Sequence, residues 1–117
     1  MNKKEKEDDS MVEKTIMLAC SAGMSTSLLV SKMQAAAKEE GKNYEIFAKS
    51  TADIDQEFRK KTPDVLLLGP QVAYMRATVQ KKADEAGVPM DVINMSDYGM
   101  MNGANVLKFA EELMARG

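Results

Sequence analysis

The sequence predicts an α/β fold: a single three-layer domain in which an open four-stranded parallel sheet carries helices on both faces. Three observations lead there. Short apolar runs near 15–20, 44–48, 65–68 and 90–93 alternate with segments whose apolar residues recur at helical spacing. The runs at 15–20 and 65–68 contain no charged residue, which suits strands covered on both faces. The chain has 117 residues, a length that fits one domain with one real core. Parallel strands need crossover connections, and the intervening helices supply them.

Residues 1–14 hold nine charged side chains and little to bury, so they read as a disordered charged tail ahead of a domain spanning 15–117. Thr15–Cys20 is the first strand. Ser21-Ala22-Gly23 makes a turn, and Ser25, Thr26 and Ser27 offer hydroxyl caps for a helix running to about Glu40. Leu28, Leu29, Met33, Ala36 and Ala37 form its inner stripe, and Gly41 stops it. Tyr44–Ala48 is the second strand. Ser50 or Thr51 caps a short helix with Ile54 and Phe58 four apart, and Pro63 ends that region. Val65–Leu68 is the third strand. Gln71–Ala86 is the third helix, with Val72, Met75, Val79 and Ala83 facing inward and Gly87 as its stop. Met90–Ile93 is the fourth strand. A loop through Tyr98, Gly99 and Asn102 leads to a last helix at 103–116, which buries Leu107, Ala110, Leu113 and Met114.

Composition removes several chemistries. Without histidine there is no Ser-His-Asp or Cys-His pair, no histidine-ligated zinc and no phosphohistidine in this chain. One cysteine excludes an internal disulfide and a CxxC redox pair. No metal or other cofactor is expected, since the acidic residues show no ligand pattern near the candidate site. Sixteen basic against 18 acidic residues give −2, so no global field draws nucleic acid or an anionic membrane. The first nine residues mix both signs of charge, unlike a signal peptide, and the apolar run Ile16–Cys20 is far too short to span a bilayer. A cytoplasmic monomer with a reduced cysteine is expected.

In such sheets ligands bind beyond the carboxyl ends of the strands. Cys20 closes the first strand at that edge, and Ser21-Ala22-Gly23-Met24-Ser25-Thr26 follows it into a helix N-terminus. A small-residue loop with Gly23 and no proline can turn several N–H groups inward, and the helix dipole adds roughly half a positive charge. The hydroxyls of Ser21, Ser25 and Thr26 are further donors. The same surroundings favour the thiolate, which is the nucleophilic form. An anion receptor wrapped around a nucleophilic sulfur points to a covalent S-phosphoryl intermediate, with Cys20 as acceptor and residues 21–26 as its cradle. The blander alternative is an inert core cysteine. Its place at the strand end, followed at once by a serine- and glycine-rich loop, weighs against that.

One rival uses the same geometry. Low-molecular-weight tyrosine phosphatases and related arsenate reductases, whose architecture this fold resembles, follow a strand with Cys-x5-Arg and a helix. Their arginine clamps phosphate bidentately. Here Thr26 stands six residues after Cys20, and the only arginines are Arg59, Arg76 and Arg116. Asp97 could serve as a proton donor, but the missing arginine argues for a carrier that holds phosphate over an enzyme that hydrolyses it.

The segment Met17-Leu18-Ala19-Cys20-Ser21-Ala22-Gly23-Met24-Ser25-Thr26-Ser27, with Leu68-Gly69-Pro70-Gln71-Val72-Ala73-Tyr74 downstream, resembles the enzyme IIB component of the lactose/cellobiose family. That family belongs to the bacterial phosphoenolpyruvate-dependent sugar phosphotransferase system. The resemblance covers about residues 14–116. It implies a relay: phosphohistidine on enzyme IIA donates to Cys20, and the group then passes to a sugar held by membrane enzyme IIC. The sugar class it implies is cellobiose or another β-linked disaccharide. The protein would meet the inner face of the membrane only transiently, through IIC. Gln71 and Tyr74 follow the third strand and border the same cleft, as site-edge or partner contacts or as a local cap and packing. Tyr98, in the last loop, is a further candidate for the edge. Met24 lies inside the cysteine loop, where a flexible thioether suits partner contact. Met95, Met100 and Met101 are expected to close the open end of the sheet. A third reading, a regulatory module docking through this methionine-rich edge, makes Cys20 dispensable.

Overall fold

A computed structural model describes residues 12–21 and 26–116. Strand β1 is Lys14–Cys20, helix α1 Ser27–Glu39 and strand β2 Tyr44–Ser50. A 3-10 turn, Thr51–Asp53, leads into α2, Ile54–Lys60. Strand β3 is Val65–Leu68, followed by a 3-10 segment, Pro70–Met75, and α3, Arg76–Ala86. Strand β4 is Met90–Val92, then come α4, Met95–Gly99, and α5, Gly103–Arg116. All pairings are parallel, in the order β2-β1-β3-β4.

The order explains the composition of the strands. β1 and β3 are central and covered on both faces, so Ile16–Cys20 and Val65–Leu68 are all buried. Alternation along β1 sends Ile16 and Leu18 to one layer and Met17 and Ala19 to the other. The first layer is α1, Tyr98 of α4, and α5, with Leu29, Val30, Met33, Val106, Leu107 and Ala110 in its core. The second holds Ile54, Val72, Val79 and Ala83, from α2 through α3. The expected three-layer α/β sheet is therefore present.

Details depart from the expected pattern. β1 begins at Lys14, and the Glu13 amide donates to the Asn43 carbonyl at 2.8 Å, so the end of the charged tail joins the sheet edge. The rest of the tail, residues 1–11, lies outside the described residues. Leu28 is 55% exposed, and Val30 takes the inward place assigned to it. With α1 starting at Ser27, the face toward the sheet runs through Leu29, Val30, Met33 and Ala37, and Leu28 falls on the open side of the first turn. The continuous helix expected over 71–86 is broken. Val72 has φ −113° and ψ 24°, outside helical geometry, so the chain turns as 3-10 helix before α3 begins. Met75 and Met114 are half-buried at the flanks of the core. Gly87, at φ +73°, caps α3 in the left-handed region, and the Val88 amide donates back to Ala83 at 2.8 Å.

The two helices of the first layer approach closely. A Cβ on Gly103 would stand 2.5 Å from the backbone carbon of Lys32 and 2.7 Å from its carbonyl oxygen. Only glycine lets the start of α5 lie against the middle of α1, whose first turn follows the loop after β1.

Candidate functional site

The strand order reverses direction at β1, since β2 lies on one side of it and β3 on the other. A crevice forms beyond the carboxyl ends at such a switch point, and ligands in open α/β sheets bind there. Cys20 is the last residue of β1 and therefore stands at that crevice. It is fully buried. Its place in the alternation matches Ile16 and Leu18, which turns it toward the layer that contains α1.

Several contacts fix its surroundings. The Thr26 hydroxyl, also fully buried, lies 3.7 Å from the Cys20 sulfur. Thr26 immediately precedes α1, and its carbonyl accepts from the Val30 amide at 2.9 Å, so the hydroxyl is held by the helix start. On the β2 side, the Ser50 hydroxyl donates to the Ser21 carbonyl at 3.0 Å and accepts from the Ala52 amide at 3.1 Å. On the β3 side, the Gly69 amide donates to the Ala19 carbonyl at 2.9 Å. The position a Gly69 Cβ would take is 3.5 Å from the Cys20 Cβ and 3.0 Å from Gln71 Oε1.

The structure thus brings together Cys20, Ser21, Thr26 and Gln71 among the residues singled out from sequence. Ala22, Gly23, Met24 and Ser25 lie outside the described residues. Tyr74 is 82% exposed on the 3-10 segment after β3. Tyr98 is different: it is buried in the core beside α5, so it packs inside the domain and is not presented at the edge. The reason is the short helix α4, capped by the Asn94 side chain, which accepts from the Ser96 and Asp97 amides at 2.8 and 3.1 Å and turns Tyr98 inward. Met95 and Met100 do not close the sheet end; they are 69% and 76% exposed, while Met101 packs on the core at φ 53°. Sequence reasoning missed Ser50 as a tether of the loop and Gly69 as the residue beside the thiol. Ser50 ends β2 and Gly69 directly follows β3, and only the strand order reveals that both strands flank β1.

A family profile described as the lactose/cellobiose-specific IIB subunit of the PTS system matches residues 15–109. The chain belongs to this IIB family. Similar relatives agree. A galactose-specific EIIB component of Lactococcus lactis subsp. cremoris (strain MG1363) is 68% identical over 89% of this chain and 99% of its own length. An oligo-beta-mannoside-specific EIIB component of Bacillus subtilis (strain 168) is 42% identical over 86% of this chain and 96% of its own. The solution structure of a cellobiose-specific IIB component from Borrelia burgdorferi superimposes with TM-score 0.73 at 34% identity, covering 88% of this chain and 93% of that one. A lactose-specific IIB domain from Streptococcus pneumoniae shares the fold, with TM-score 0.74 at 16% identity over 86% of this chain and 97% of that one. IIB components are phosphotransferases of sugar transport and work with IIA and IIC components. No helix among the described residues of this IIB is long and apolar enough to cross a membrane.

A second polar cluster lies at the other end of the IIB sheet. Glu111 on α5 accepts from Lys42 and, at 2.8 Å, from the Tyr44 hydroxyl at the start of β2. Lys42 also pairs with Glu40 at 3.1 Å. Burial pushes the Glu111 carboxyl up, but the two hydrogen bonds outweigh it and hold the group below the ordinary carboxylate range. Tyr44 is pushed up, first by burial and then by its bond to Glu111, and Lys42 is pushed up by its bonds to Glu111 and Glu40. These groups line a surface pocket of about 400 Å³ with Lys14, Met114 and Ala115. It sits at the amino ends of the strands, away from Cys20.

Proposed function

We propose that this IIB is a cytoplasmic phosphoryl carrier in which Cys20 is the acceptor. The observation that carries the proposal is the placement of its single thiol: at the end of the central strand β1, at the switch point, 3.7 Å from a buried hydroxyl at the start of a helix. In the first step the Cys20 thiolate attacks the phosphorus of a phosphohistidine on IIA. The S–P bond forms as the N–P bond breaks, and the released imidazole nitrogen takes up a proton. In the second step a hydroxyl of the sugar held by IIC attacks the same phosphorus. The S–P bond breaks, the hydroxyl proton leaves to solvent or a base, and the thiolate is restored. The amides of residues 21–26 and the Thr26 hydroxyl serve as donors to the phosphoryl oxygens.

The protein works as a monomer between its two partners. Leu28, Tyr74, Met95 and Met100 are its large exposed apolar side chains among the described residues. Leu28, Tyr74 and Met95 follow the carboxyl ends of β1, β3 and β4, and Met100 ends the short helix α4, so the apolar surface gathers on the side where both partners must reach the sulfur. The sugar is a β-linked disaccharide of the cellobiose class, the specificity named for the Borrelia burgdorferi component, although the Lactococcus lactis relative is named for galactose. With no histidine, this chain depends on IIA for the preceding phosphohistidine.

The test is phosphorylation in a reconstituted relay of IIA, its upstream donors and labelled phosphoenolpyruvate. Label is expected on the wild type, stable to alkali and labile to iodine as a thiophosphate. Equal labelling of Cys20→Ser would remove the sulfur from the mechanism. Rapid release of inorganic phosphate from a small aryl phosphate would favour the phosphatase reading instead.

A further inference from the structure

Gln71 is the polar side chain at the site whose role the carrier chemistry leaves open. It begins the turn after β3, and a residue so placed can reach outward into solvent. It is exposed, and its carboxamide oxygen lies 3.0 Å from the point where a Gly69 Cβ would sit. That same point is 3.5 Å from the Cys20 Cβ. The space a Gly69 side chain would fill therefore lies between the carboxamide and Cys20, on the β3 side. Thr26 approaches the sulfur from the α1 side.

We propose that Gln71 holds the phosphoryl group on Cys20, its carboxamide turning so that Nε2–H, in place of the Oε1 that faces Gly69 here, donates to a phosphoryl oxygen. The inference rests on the carrier reading above. Its chemical logic is the absence of charge. A carboxamide supplies two N–H donors and no positive charge. It can fix the orientation of the phosphoryl oxygens without the bidentate cationic clamp that a guanidinium brings to a transition state. A group that must be handed to a sugar and kept from water is suited by such a donor. Gly69 is part of the device. Its backbone, at φ −66° and ψ 150°, is one that alanine adopts without strain. A Cβ there would stand 3.0 Å from Oε1, close enough that the carboxamide must shift by a few tenths of an ångström away from Cys20.

Three variants test it in the reconstituted relay: Gln71→Ala, Gln71→Glu and Gly69→Ala. Two quantities are read, the rate of labelling of Cys20 from phosphorylated IIA and the phosphorus-31 resonance of the phosphocysteine. Loss of one hydrogen bond to a charged group is expected to slow labelling about 10-fold in Gln71→Ala and Gly69→Ala. A carboxylate beside the phosphoryl oxygens is expected to slow it about 100-fold in Gln71→Glu. All three should shift the resonance. Gln71 is exposed and Gly69→Ala is unstrained, so melting temperatures should stay near wild type. Wild-type rates with an unshifted resonance in Gln71→Ala and Gln71→Glu would overturn the proposal. Slow labelling with an unshifted resonance would overturn it too, by assigning Gln71 to partner docking. A wild type that takes no label at Cys20 would fell the carrier reading itself, and this role with it.

Discussion

Replacing Gly103 by alanine should destabilise the domain and, through α1, impair the site. The added Cβ would meet the Lys32 backbone carbon at 2.5 Å and the Lys32 carbonyl oxygen and Cβ at 2.7 Å. Carbon atoms at rest in a core sit about 3.5–4.0 Å apart, so α1 and α5 must separate by roughly 1 Å. Backbone in the middle of a helix cannot rotate away as a side-chain tip can. Inserting a methyl into a packed site of this kind costs about 1–3 kcal/mol. Alanine recovers at most ~1 kcal/mol as a better helix former, and less at the first helical residue, where the helix is only beginning. The net loss is therefore about 1–2 kcal/mol. At ~4–8 °C per kcal/mol for a small domain, the melting temperature should fall by roughly 5–15 °C. Thermal melts followed by circular dichroism, with urea titrations in parallel, read it directly. Lys32→Ala should not rescue the variant, because alanine keeps all three clashing atoms. A shift of α1 also moves Thr26 relative to Cys20, so phosphorylation measured well below the melting point should slow as well. A Gly103→Ala protein that melts at or above the wild type would refute the close approach.

Thr26→Val keeps the buried volume but removes the hydroxyl beside the sulfur. It should remain folded, lose about 1 kcal/mol of stability and accept phosphate several-fold more slowly; an unchanged rate would deny the hydroxyl a part. Glu111→Gln should cost about 1 kcal/mol near neutral pH, since the Lys42–Glu111 pair is partly exposed. Because the folded carboxyl is held below its unfolded value of about 4.5, that contribution is present above pH 4.5 and disappears as pH falls through the folded value. Urea titrations at stepped pH should show the gap between wild type and variant closing in acid; a constant gap would refute the linkage. Leu67→Ala, on central β3, should cost ~2–5 kcal/mol, seen as a lowered urea midpoint with the site residues untouched.

How much was legible in the chain depends on how local the physics was. The apolar runs of β1 and β3, the stops at Gly41 and Gly87 and the position of Cys20 at a strand end all follow from spacing and turn chemistry within a few residues. The same is true of the exclusions: one cysteine, no histidine and no arginine six residues on are statements about composition. Finer packing was not legible. Leu28 and Val30 are neighbours of equal hydropathic appeal, and which one is buried depends on where α1 begins relative to the sheet. The break at Val72 and the burial of Tyr98 depend on how the segments after β3 and β4 settle against layers formed by distant residues.

The sequence by itself determined the kind of protein: a doubly covered parallel sheet with one cysteine at its carboxyl edge. Local periodicity and residue chemistry are enough for that. The tertiary structure decided which residues become neighbours of that cysteine. The order β2-β1-β3-β4 brings Ser50 and Gly69 to either side of Cys20, and the turn after β3 sets the Gln71 carboxamide oxygen beside Gly69. The closeness of α1 and α5 turned on a single missing Cβ at Gly103. Such contacts join residues tens of positions apart, and their energies exist only once the strands have chosen partners.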